Sequence, residues 1–206
     1  HSVHINDTKN EAINISRFLL NENSIHFINH AYPNQYKRTA GKIDRIKKWC
    51  FENKLCLNDI VIDGGMVLSV YGYREAQDID YISPCRINSI IKSDEISLHN
   101  DMIEFHKKSV DSLVYDDRNH FYYDGVKFIS FKQLLRMKVE RNEFKDKNDL
   151  ILMESLLNES TIKKYTIKII QFLWYTKLKL YVRVLKLLEI AGLYYAVRYL
   201  YRKIFK

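Results

Sequence analysis

The stretch from Asp59 to Ile82 constrains the fold of this chain more than any other. It opens with Asp59-Ile60-Val61-Ile62, an apolar run of the length of a short buried strand. Gly64 and Gly65 break that run. A helical pattern follows, with Met66, Val67, Val70 and Tyr71 on one face, and Gly72 stops it. Asp78-Ile79-Asp80-Tyr81-Ile82 then alternates polar and apolar, which predicts a second strand. A strand, a glycine turn, a helix and another strand in close succession predict an α/β fold, with a small mixed sheet flanked by helices.

Residues two apart on a strand share a face, so Asp78 and Asp80 are expected side by side with Ile79 turned into the core. Two carboxylates at that distance repel, and a cation between them relieves the repulsion. Carboxylate oxygens are hard ligands suited to Mg²⁺ or Mn²⁺. Gly64 and Gly65 let backbone come close to a phosphate, and the helix after them starts with free N–H groups. The combination predicts a metal–phosphate site.

The order Gly64-Gly65, twelve residues, then Asp78-Ile79-Asp80 resembles the signature of the nucleotidyltransferase superfamily that includes DNA polymerase beta. Tyr71-Gly72-Tyr73-Arg74 resembles a step of its small bacterial branch, which includes the type IV toxin nucleotidyltransferases. Residues 127–138 and 145–150 are similar to the helical segment that follows the catalytic sheet there. The resemblance covers roughly residues 40–158. It implies that Asp78 and Asp80 are catalytic and hold the metal, that Gly64, Gly65 and Ser69 seat the phosphates, and that Arg74 orients its loop or meets a phosphate. It implies that Lys138 faces the triphosphate of a nucleoside triphosphate donor. Many members add a third carboxylate on a later strand, as general base or second-metal ligand. Residues 101–106 alternate like such a strand, with Glu104 the first candidate for the base and Asp101 the second.

Composition places the rest. With 206 residues the chain holds one ordinary domain and an appendage. Two prolines and six glycines argue against linkers and low complexity. Cys50, Cys56 and Cys85 are odd in number and lack ligand spacing, which reads as reduced thiols in a cytoplasmic protein. No leader pattern is read, and the first residue, His1, leaves open whether the chain is a piece of something longer. The net charge of +8 is unevenly spread. Residues 162–206 hold eleven Lys and Arg against Glu189 alone, or +10, which leaves −2 for residues 1–161. Three segments are expected: an N-terminal helical segment 1–36, a nucleotidyltransferase-like domain 37–160, and a basic amphipathic helical tail 161–206.

Within the first segment a helix over 11–20 is expected to end at Asn21, and His1, His4, His26 and His30 read as packing or surface residues, not as a metal site. Residues 37–54 predict an amphipathic helix with Ile43, Ile46, Trp49 and Cys50 inward and Lys42, Arg45, Lys47 and Lys48 outward. Residues 112–131 predict a hairpin in which Leu113-Val114-Tyr115 leads into a turn and Asp124-Gly125 joins two strands. Ser130 predicts an N-cap, and Asp146 and Asp149 open the next helix. The tail is dense in apolar, aromatic and basic residues, too interrupted to span a bilayer, and reads as lying on an anionic membrane surface. A helical cap on the core and a nucleic-acid face are the other readings.

The expected function is Mg²⁺-dependent nucleotidyl or phosphoryl transfer to an acceptor hydroxyl. With the tail, the acceptor leans to a glycan or lipid-linked carrier in bacterial surface polysaccharide synthesis, on the inner face of the membrane. A toxin-type enzyme modifying tRNA or protein, and a catalytically silent docking module of the same fold, are the alternatives.

Overall fold

The computed structural model describes residues 8–84, 95–157, 169, 173, 176, 180, 183, 184 and 186–195. The expectations for His1, His4, Cys85, residues 86–94 and most of 161–206 lie outside the described residues. Two compact units divide the chain, residues 1–150 and 151–206.

The first unit begins with two short helices, α1 (Lys9–Leu19) and α2 (Glu22–His30). Asn21 does not merely end the first. Its side chain accepts from the backbone N–H of Asn23 and Ser24, so it caps the second. Helix α3 (Lys37–Glu52) buries Ile43, Ile46, Trp49 and Cys50 as its periodicity predicts. Lys42 departs from the expected outward face. It is buried, with its ammonium donating to the Gln77 carbonyl, because the loop ahead of the second strand crosses that side of α3.

The sheet is open, five-stranded and mixed, in the order β3-β2-β1-β5-β4. Its strands are β1 (Val61–Asp63), β2 (Ile79–Ile82), β3 (Ile96–Leu98), β4 (His120–Tyr123) and β5 (Val126–Ile129). β1 runs antiparallel to β2 and parallel to β5; β2 pairs with β3 in parallel, and β4 with β5 antiparallel. Between β1 and β2 lies α4 (Gly65–Val70), whose residues Met66–Val70 are all buried. The helix is too enclosed to show an outer face.

Two expectations fail here for the same reason. Residues 100–106 are not a strand: a 3-10 turn (Asn100–Met102) leads into the short helix α5 (Ile103–His106), closed by Lys107 in the left-handed region. Leu113–Tyr115 likewise belongs to the helix α6 (Val110–Tyr115), capped by Ser109. Over so few residues, alternation does not separate strand from helix. The Asp124-Gly125 turn does join β4 to β5, with positive φ at both residues, the geometry of a type I′ hairpin.

Ser130 caps α7 (Phe131–Arg141) by accepting from the Gln133 N–H, and α8 (Asp146–Leu157) follows. Lys138, Arg141, Asp146 and Asp149 form one buried ion cluster with Arg74. The Lys138 ammonium lies 2.7 Å from Asp146 and 2.9 Å from Asp149. Arg74 grips both oxygens of Asp149 at 2.7 and 2.9 Å, and Arg141 meets Asp146 at 2.9 and 2.7 Å. Asp146 and Asp149 thus do more than open a helix. In the second unit Leu152, Met153 and Leu156 are buried, and residues 186–190 are helical. No helix among the described residues is long and apolar enough to cross a membrane.

Burial pushes the carboxyls of Asp146 and Asp149 up, but hydrogen bonds from Arg141 and Lys138, and from Arg74, outweigh it and hold both below their usual 3.8. Their contribution is therefore complete above that value and lost as the pH falls through their lower folded values. Removing one partner of a buried ion group costs about 3–5 kcal/mol. Asp149→Ala is expected to lower the unfolding free energy by about 3 kcal/mol at neutral pH and to flatten the loss of stability in acid. Urea titrations across the acid range measure both; an unchanged midpoint contradicts the role assigned to the cluster.

Candidate active site

Three neighbouring strands place polar residues in one row. Asp63, the last residue of β1, is directly opposite Asp80 of β2, and Asp80 is opposite Ser97 of β3. Residues paired across strands share a face, so the three side chains stand together on it. Asp78, just ahead of β2, has the same parity as Asp80; it is exposed, and its charge acts on Asp80, Arg74 and Lys42. Ile79 is fully buried between the two acids, as expected.

Asp63 has no solvent exposure. Its Oδ2 accepts from His99 Nδ1 at 3.2 Å and from His106 Nε2 at 3.1 Å, while Oδ1 has no partner among the described residues. Gln133 fixes the tautomer of His106. Its amide donates to the His106 carbonyl at 2.7 Å and faces Nδ1 at 3.4 Å, so the ring proton sits on Nε2 and points at Asp63. His99 gives its Nδ1 proton to the same carboxylate, which leaves Nε2 as the free ring nitrogen. Burial raises the Asp63 carboxyl, but the bonds from His106 and His99 overcome it and hold Asp63 ionised far below the usual range. Burial lowers His99, yet the bond and charge of Asp63, helped by Asp80 and Asp101, carry it above 6.5.

Asp80 stands in the opposite condition. Burial raises its carboxyl, and the charges of Asp78 and Asp63 add to this against the pull of His99 and of the Ser97 hydroxyl, which donates to Oδ1 at 2.8 Å. The glycine pair explains how backbone reaches this carboxylate. Gly64 has φ +64°, and a Cβ there would lie 2.6 Å from Asp80 Oδ2. A Cβ at Gly65 would meet the Arg74 guanidinium at 3.2 Å. One glycine admits the carboxylate and the other admits the arginine that holds the following loop.

The other expected site residues lie elsewhere. Ser69 is fully buried, its hydroxyl 2.6 Å from that of Thr39, and it ties α4 to α3 instead of lining open space beside Asp80. Lys138 is spent on Asp146 and Asp149. Arg74 puts its fork on Asp149, which ties the loop before β2 to the start of α8. Glu104 is on the exposed side of α5 and takes no part in the bonds around Asp63 and Asp80. Sequence reasoning missed Asp63, Ser97, His99 and His106. One signal was present: a charged residue closing an otherwise apolar strand has to be matched from elsewhere in the fold.

Among the described residues no three or more His, Cys, Asp or Glu side chains are arranged to hold a metal ion. The exposed Asp78 and half-buried Asp80 do match the way Mg²⁺ is commonly held, by one or two carboxylates completed by substrate phosphates and water.

Comparison with protein-family models, with curated proteins and with solved structures finds no match. An NMR titration tests the electrostatics directly. His99 is expected to titrate above 6.5 in the native chain and to fall toward or below that value in Asp63→Asn, because the charge that raises it is gone. No change in His99 would show that Asp63 does not govern it.

Proposed function

We propose that the chain transfers a nucleotidyl or related phosphoryl group to an acceptor hydroxyl with Mg²⁺ or Mn²⁺, on a nucleotidyltransferase-type sheet. The observation that carries this reading is the contact between the Gly64 turn and Asp80, with Asp78 next to it. A backbone turn with no side chain, held against a pair of carboxylates, suits a phosphate bridged to them by a hard cation. Order and topology support it too: a glycine turn after the central strand, a short helix, then the acid pair on the antiparallel neighbour.

Asp78 and Asp80 would hold the cation, which when bound would neutralise charge on the phosphoryl group and on the departing pyrophosphate. Backbone N–H groups at Gly64 and Gly65 would receive a phosphate oxygen. Arg74, locked on Asp149, keeps the loop before Asp78 in place and adds positive charge beside it. His99, not Glu104, is suited to receive the acceptor's proton. Asp63 orients its ring and stabilises the imidazolium once it forms. The acceptor oxygen then bonds to phosphorus as the bond to pyrophosphate breaks, and the hydroxyl proton ends on His99 Nε2. A glycan or lipid-linked carrier supplies the hydroxyl in this reading; a tRNA or protein does so in its toxin-type variant.

A silent docking module of the same fold is favoured by one observation. Asp63, the third carboxylate of the row, is fully buried and bonded to two histidines, so it is not free to serve as an open base or ligand.

Calorimetric titration of each nucleoside triphosphate with Mg²⁺ tests the proposal. Binding is expected to require the metal and to weaken at least about tenfold in Asp78→Asn/Asp80→Asn, a loss of about 1.4 kcal/mol. His99→Gln should leave that binding intact while slowing transfer by about 10²–10⁴-fold, the usual share of a general base. Binding that ignores the double substitution removes the metal–phosphate site. Metal-dependent binding with no transfer in the native chain selects the silent module.

A further inference from the structure

Two histidines away from the acid row are held in contact with each other. His26 and His30 lie one turn apart on α2, so their side chains share one side of the helix. Their ring centroids are 4.5 Å apart and their planes are tilted by 42°. Both are half-buried, so solvent still reaches the pair. The proposed transfer uses neither. Their surroundings fix them in place. His26 Nδ1 is 2.9 Å from the hydroxyl of Tyr71, a residue with no solvent exposure. Tyr71 and Phe131 flank the His26 ring, at 5.8 and 5.3 Å between centroids. The His30 carbonyl accepts from the Tyr73 hydroxyl at 2.5 Å. Two tyrosines of one turn thus position the last turn of α2.

Four-residue spacing alone does not make a metal site; the ring contact and the Tyr71 bond are what the fold adds. Burial, with the charge of His30 added, holds His26 below 6.5, so its ring is neutral near pH 7. The neutral imidazole is the form that binds a metal. Nδ1 is engaged with Tyr71, which leaves Nε2 for a ligand. Nδ1 then carries the proton and donates it to the Tyr71 oxygen, the outer-shell bond that metal-bound histidines commonly make. The ring separation also fits. Two imidazoles on one metal, each with a metal–nitrogen bond of about 2.0–2.1 Å, place their centroids about 4.5–5 Å apart at octahedral to tetrahedral angles. Among the described residues no group of three or more His, Cys, Asp or Glu could hold a metal, so water would fill the other positions. Imidazole ligands suit Zn²⁺, Cu²⁺ and Ni²⁺, whereas Mg²⁺ takes oxygen.

We infer that His26 and His30 chelate one divalent transition-metal ion of the Zn²⁺ class, in an open site completed by water. The pair is separate from Asp78 and Asp80 and stands or falls independently of the transferase reading. A metal here braces the turn that leads to Arg74, since Tyr71 and Tyr73 belong to it.

Calorimetric titration of Zn²⁺ into the metal-free full chain tests it, with Mg²⁺ in excess throughout to occupy oxygen sites. The native chain is compared with His26→Gln and His30→Gln. Each substitution is expected to weaken Zn²⁺ binding by at least about tenfold, the least that even an outer-shell partner of a metal-bound histidine contributes. Histidine NMR locates the ion. The His26 and His30 ring resonances, assigned by their loss in the variants, are expected to move first as Zn²⁺ is added. The bond from Tyr73 reaches the main chain of His30, so His30→Gln keeps it and carries the test even where His26→Gln disturbs Tyr71. Circular dichroism checks that both variants are folded. Zn²⁺ binding as tight in His30→Gln as in the native chain overturns the site. So does a native chain that binds no Zn²⁺, or one in which Zn²⁺ moves other histidines while His26 and His30 stay unchanged.

Discussion

A carboxylate with no solvent exposure at the end of the central strand has to be matched by donors, and much of the first unit is arranged to match Asp63. An isolated buried charge costs several kcal/mol even after relaxation. His99 arrives from the residue after β3, and its position follows from the pairing of β3 with β2. His106 arrives at the end of α5, and Gln133 of α7 sets its tautomer. Two histidines, one of them held by α7, therefore converge on a single carboxylate oxygen, Oδ2. This is why the chain beyond β3 turns into a 3-10 turn and a short helix: a further strand would carry His106 away along the sheet.

The same arrangement sets two neighbouring carboxylates to opposite conditions. Asp63 is held ionised by donors, whereas Asp80, paired directly across from it, is pushed up by burial and by the two acids beside it. Sites in which environment drives like groups apart are the ones in which they take different roles. Asp63 works as a fixed orienting charge. Asp80, with the Ser97 hydroxyl on Oδ1, stands next to the exposed Asp78, and on the proposed reading a cation between the two would relieve their repulsion. His99 is shared by both, since each raises it. In the proposed mechanism the proton acceptor and the metal-holding pair would thus be coupled through one imidazole.

The sequence made the central unit legible because each of its signals was local. The glycine pair, the short apolar strand before it, the alternation around Ile79, the Asp-Gly hairpin and the Ser130 cap depend on near neighbours, and each holds in the fold. What stayed hidden was long-range. Ser69 reads as a phosphate contact until Thr39, thirty residues earlier, takes its hydroxyl. Lys138 reads as a triphosphate contact until Asp146 and Asp149 fold back onto it. Lys42 reads as solvated until the Gln77 carbonyl lies against it. The Asp63 cluster requires the register of three strands, and no local pattern states a register. The misread segments, 101–106 and 113–115, were short enough for period two and period 3.6 to coincide.

The cations near the acid pair also bear on what the site can accept. Arg74 is committed to Asp149, and Lys42 is bound to a carbonyl and lowered by burial despite the pull of Asp78. Lys138 and Arg141 are consumed by Asp146 and Asp149. Asp63 is met by His99 and His106, and Asp80 by the Ser97 hydroxyl and the charge of His99, which would have to lose its own charge to act as a base. A phosphate-bearing donor adds several more negative charges to this face. At about 4 Å and an effective dielectric near 20, each unrelieved pair of like charges costs about 4 kcal/mol, more than a single backbone N–H returns to a charged acceptor, about 1.5–3 kcal/mol. On the proposed reading, a phosphate approaching Asp78 and Asp80 would therefore bring a cation with it. Under the proposed transferase reading, metal dependence would be a condition of binding before it is a condition of chemistry, because Arg74, Lys138 and Arg141 are already paired with Asp146 and Asp149.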